Sequence, residues 1–88
     1  MRVETTKTMV KEINKNFKNN EKFKDYYATV EKVRDFFEGE KQVIKIIYPY
    51  GYYALPLIID NRELNRIFKN SDKTYQGFFN DLLEYVEV

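Results

Sequence analysis

Four tyrosines, Tyr48, Tyr50, Tyr52 and Tyr53, crowd around Pro49 and Gly51. A tyrosine ring offers a large, rigid contact area and one hydroxyl to satisfy, which suits recognition of another protein. The same residues also suit a half-buried strand, and their spacing does not choose between the two. A tight turn at Pro49-Tyr50-Gly51 would send alternate tyrosines to opposite faces and leave part of the set exposed. These four are the candidate partner-binding residues.

Five lysines form a second set. Lys7, Lys11, Lys15, Lys18 and Lys22 follow one another in steps of four, four, three and four. On a helix the first four share one side, where they could meet phosphates or an acidic protein surface. A solvated helix face explains the pattern as simply, and Glu12 and Glu21 dilute its field. A third combination sets Tyr50 and Tyr52 for base stacking beside Lys41, Lys45, Arg62 and Arg66. No RNP-type motif, helix-turn-helix signature or zinc knuckle accompanies it.

Catalytic chemistry has little to work with. The chain contains neither histidine nor cysteine, which removes the commonest general base, metal ligand and thiol nucleophile. A carboxylate, lysine or tyrosine would have to be tuned by burial instead. Asp81 and Glu84 share a helix face, but it is the one opposite the apolar stripe. Gly39, Gly51 and Gly77 are scattered, so no phosphate-cradling loop is formed. The residues therefore point to a non-enzymatic protein with no catalytic residue, cofactor or metal.

With 88 residues the chain is expected to be one compact domain, 1–88, without a linker. No disulfide can staple it, so seven Phe, eight Tyr and the aliphatic residues must supply the core. Fifteen basic residues against fourteen acidic ones argue against a wholesale polyanion binder. The charge is unevenly placed: lysines concentrate in residues 1–24, while residues 74–88 carry Asp81, Glu84 and Glu87 and nothing basic. No secretory leader and no membrane-spanning run are read, which gives an expectation of a cytoplasmic location and no membrane partner.

The elements that must position these residues follow from apolar spacing. Val10, Ile13 and Phe17 predict a first helix capped by Thr5 or Thr6 and broken at Asn19-Asn20. Phe23, Tyr26, Tyr27, Val30, Val33 and Phe37 predict a second helix over 21–38, with Phe36 off the face and Gly39 as its stop. Residues 42–48 read as a strand, and 52–59 as its hairpin partner, placed at an edge by Pro56. Asp60 followed by Glu63 predicts the cap of a short helix ending near Asn70. Ser71 or Asp72 would cap the last helix, built on Tyr75, Phe78, Phe79, Leu82, Leu83 and Val86.

The expected class is α+β in the order α-α-β-β-α-α, a two-stranded antiparallel hairpin packed against helices. Hydrophobic strands 43–47 and 55–59 would leave backbone at an edge, which a second copy could cover, while Pro56 and Lys45 are ordinary protections against that. The function expected is protein–protein interaction. Small inhibitors that phages or other mobile elements direct at host enzymes or defence nucleases are the class in view, and their mode would be occlusion. A nucleic-acid-binding module using Lys7 to Lys22 and a structural homo-oligomer, a homodimer among the forms it could take, are the alternatives.

Overall fold

The computed structural model describes residues 4–37, 39–49, 55–72 and 74–87. Its order is α1 (Lys7–Lys18), β1 (Tyr27–Asp35), β2 (Gly39–Ile47), β3 (Leu57–Ile59), α2 (Asn61–Lys69) and α3 (Tyr75–Val86). This is an α+β arrangement of three helices and one antiparallel sheet in the order β1-β2-β3.

The first helix forms as its spacing predicts. Thr6 caps it by accepting from the Met9 N–H at 3.1 Å, and the C-cap falls at Asn19. Val10, Ile13 and Phe17 are its buried residues. The short helix α2 also starts where expected, with Asp60 Oδ1 accepting from the Glu63 N–H at 2.9 Å. The last helix is capped by Thr74, not by Ser71 or Asp72. Ser71 is buried and donates its hydroxyl to the Phe68 carbonyl, while Asp72 takes a positive φ of 59° in the α2–α3 turn. Neither is free to begin a helix.

The second expected helix does not exist. Residues 21–25 are turns, and Tyr27–Asp35 is a strand paired with β2 over nine consecutive positions, from Tyr27–Ile47 to Asp35–Gly39. The hairpin expected alone is therefore a three-stranded sheet, and the order is α-β-β-β-α-α. The reason lies in what covers each half of β1. Ala28 and Val30, opposite Ile46 and Ile44, face the core. Lys32 and Arg34 continue on that same face, but they lie beyond the helices and are exposed. The two-residue alternation of a strand is apolar for half its length only, so the sequence pattern blurs. Gly39 does not end a helix; it opens β2 with φ at 76°.

The β2–β3 pairing is antiparallel as expected, though shorter: Ile44–Ile59, Lys45–Ile58 and Ile46–Leu57. β3 stands at the sheet edge, and Pro56 precedes it, outside the ladder. The expected turn at Tyr50-Gly51 and the residues 52–54 lie outside the described residues.

One cluster forms the core. Ile44, Ile46 and Ile59 from the sheet meet Ile13 and Phe17 of α1, Leu64 and Phe68 of α2, and Phe78, Leu82 and Val86 of α3. At one side Phe17, Phe23 and Tyr26 pack ring against ring, and Tyr26 meets Tyr48 edge-on at 5.3 Å. Burying each large side chain contributes roughly 1.5–3 kcal/mol before entropy is counted. Among the described residues the helices pack on the face of Ala28, Ile44, Ile46 and Ile59, and the opposite face, which carries no helix, still buries Val43.

Candidate functional site

The β1–β2 hairpin runs past the helix layer and ends in Phe36 and Phe37. Both are more than nine-tenths exposed, at 94% and 91%. Their rings pack edge to face at 5.1 Å, so each props the other away from the strands. Asp35 Oδ1 accepts from the Phe37 N–H at 2.8 Å, an Asx turn that sets the direction in which the chain leaves β1. On the helix-free face Lys41 pairs with Asp35 at 3.6 Å, and Lys45 with Glu31 at 3.6 Å. These cross-strand pairs brace the hairpin behind its apolar tip.

Sequence reasoning missed this tip because it placed Phe37 on a helix face and treated Phe36 as the outlier. The signal that finds it is Asp35 and Gly39 closing a short gap between the β-branched residues Thr29, Val30 and Val33 and the run Val43, Ile44, Ile46 and Ile47.

Of the four tyrosines, Tyr48 alone lies within the described residues; Tyr50, Tyr52 and Tyr53 do not. Tyr48 is half-buried, and its hydroxyl donates to the Val86 carbonyl at 3.1 Å. Burial pushes that phenol above its ordinary pKa. It ties the end of β2 to the end of α3.

The lysines divide. Lys7, Lys11, Lys15, Lys18 and Lys22 are all exposed. Lys22 leaves the stripe to pair with Glu87 at the end of α3, joining the basic and acidic ends of the chain. Lys11, Lys15 and Lys18 stay together on α1, with Asn14 and Asn19, and line an open groove of about 450 Å³ whose other wall is Tyr27. The proposed grouping of Tyr50 and Tyr52 with Lys41, Lys45, Arg62 and Arg66 falls partly outside the described residues. Lys41 and Lys45 are ion-paired across the sheet, and Arg66 binds Glu63 at 2.6 Å.

The Glu63–Arg66 pair is joined by Tyr85, whose hydroxyl donates to Glu63 Oε2 at 3.1 Å. The Arg66 hydrogen bond, then that of Tyr85, holds the Glu63 carboxyl below its usual range. The Tyr85 phenol is raised, by burial first and by Glu63 second. This trio braces α2 against α3 on an open surface.

Among the described residues, no three carboxylates gather to hold a metal ion, and no buried side-chain polar atom is left without a partner. Asp81 and Glu84 line a shallow depression with Arg66 and Tyr85. Among the described residues, no helix is long and apolar enough to cross a membrane. No protein-family model, curated protein or solved structure matches the chain.

Proposed function

We propose that this chain acts by binding another protein, with Phe36 and Phe37 as its anchor. The observation that carries this reading is the exposure of two adjacent phenylalanines at the end of a braced hairpin. Moving a phenylalanine side chain from water into a partner's pocket contributes about 1.5–3 kcal/mol, so a pair supplies a strong central anchor. The hairpin holds the rings in place before binding, which spares ordering entropy at the moment of association. A projecting hairpin fits a groove, and filling an enzyme's groove inhibits it by occlusion. The small inhibitors carried by phages and other mobile elements are the class proposed.

The test replaces both residues, Phe36→Ser and Phe37→Ser, in one chain. Because neither ring touches the core, unfolding free energy should change by no more than about 0.5 kcal/mol. Proteins recovered from bacterial lysate on the immobilised wild-type chain, nuclease-treated throughout, should be missing from the variant's eluate. Recovery of the same proteins in the same amount by the folded variant would overturn the reading.

A further inference from the structure

Tyr27 sits at the other end of β1 from the phenylalanine tip, about 26 Å away at the usual rise per residue. Its side is the sheet face that carries no helix, opposite to that of Ala28, and the residue is 54% exposed. What stands beside it is fixed by Asn14. The Asn14 carboxamide donates to the Ala28 carbonyl at 2.9 Å and accepts from the Ala28 N–H at 2.8 Å, which locks α1 along the edge of β1. Lys11 and Lys18 lie three residues before and four after Asn14, on the same flank of the helix, and Lys15 is its neighbour. The clamp thus brings three ammonium groups and one phenol ring around a single groove.

The charge of that groove is uncompensated. Lys22, Lys24, Lys32, Lys41 and Lys45 each have a carboxylate within 4 Å. Lys11, Lys15 and Lys18 have none among the described residues. Glu12, the acidic residue of α1, lines a different groove with Glu4, Met9 and Phe79. The C-terminal end of α1 contributes roughly half a negative charge, which three lysines outweigh. Three cations in a row attract a polyanion, and an exposed aromatic ring among them selects one with unpaired flat bases.

We infer that this groove binds single-stranded nucleic acid, Lys11, Lys15 and Lys18 taking successive phosphates while Tyr27 stacks on a base. A duplex satisfies the lysines but keeps its base faces stacked inside, so it leaves Tyr27 unused. An acidic protein segment offers Tyr27 a ring only where an aromatic residue interrupts its carboxylates, whereas every nucleotide of a single strand carries one.

The test is fluorescence anisotropy of a labelled oligothymidylate titrated with the full chain between about 50 and about 200 mM salt. Three phosphate contacts give a slope of log K against log salt of about −2 for a single strand. Lys11→Gln, Lys15→Gln and Lys18→Gln together should flatten that slope towards zero. Tyr27→Ala should weaken binding about tenfold at every salt concentration and leave the slope unchanged. All four positions are exposed, and unchanged melting temperatures would confirm that the variants are folded. The Phe36→Ser, Phe37→Ser chain should bind as the wild type does, which separates this site from the protein-binding tip. Any of three results overturns the inference: duplex bound as tightly as single strand, polyglutamate displacing the oligonucleotide at equal charge, or affinity indifferent to the lysine and tyrosine changes.

Discussion

A single carboxamide does the work of a neighbouring strand in this fold. Asn14 meets both backbone groups of Ala28, one as donor and one as acceptor, so the edge of β1 is closed at that residue without a fourth strand. Asn14→Ala removes both partners at once and leaves a part-buried amide and carbonyl unpaired. The expected loss is about 2 kcal/mol, read as a lower urea midpoint with an unchanged m value. Gly77 makes the opposite point about local preference. Alanine normally stabilises a helix over glycine by about 1 kcal/mol. At Gly77, however, a methyl group would stand 2.6 Å from the Ser71 carbonyl oxygen and 2.9 Å from Thr74 Oγ1, the atom that caps α3. Gly77→Ala should therefore lower the melting temperature, and a rise would show that the α2–α3 turn yields easily.

Helices α2 and α3 are held at their outer rim by Glu63, Arg66 and Tyr85. Because the folded-state pKa of Glu63 lies below its ordinary value, its contribution is present above the unfolded carboxylate range and is lost as pH falls through the folded pKa. Glu63→Gln should thus lower the melting temperature at neutral pH and converge with the wild type in strong acid. The pair is exposed, so the neutral-pH difference is small, and parallel curves down to acid would show that the carboxylate is not held.

The same elements show how far the sequence could be read. Caps and apolar stripes identified α1 and α2, and the stripe alone identified α3, whose cap is Thr74, because those signals are local and each helix rests a face on the core. β1 was illegible because only its first half rests on anything: Ala28 and Val30 are covered, while Lys32 and Arg34 project past the helices. Phe36 and Phe37, which look like core in composition, are the most exposed large hydrophobic residues described. The lysine stripe was visible as a spacing, but Tyr27 joins it only through a tertiary clamp that no local pattern encodes.

Taken whole, the described residues form a helical side, a sheet face that carries no helix, and a strand with a partly open border. Successive residues of an antiparallel strand turn their backbone groups alternately towards each neighbour. Since Ala28 turns its groups away from β2, so do Val30, Lys32 and Arg34. A second copy pairing there about a two-fold axis centred anywhere from residue 31 to residue 34 meets repulsion. Centred on residue 31 it sets Glu31 against Glu31; on residue 32, Lys32 against Lys32. Centred on residue 33 it sets Lys32 against Arg34, and on residue 34, Arg34 against Arg34. Like charges directly opposite destabilise a strand pair, so this border is blunted against its own kind.

The same alternation writes itself into solvent isotope exchange. Along β1, the amide hydrogens of Thr29, Glu31 and Val33 point into the ladder with β2 and should take up deuterium slowly, while those of Val30, Lys32 and Arg34 take it up fast. Ala28 belongs by parity to the fast series, yet its hydrogen is held by a side chain from another element. Resolved amide by amide in nuclear magnetic resonance, the strand should appear as a comb with one slow tooth where a fast one belongs. Asn14→Ala should restore that tooth to its series, which makes Ala28 a reporter of whether helix and sheet are joined at any instant.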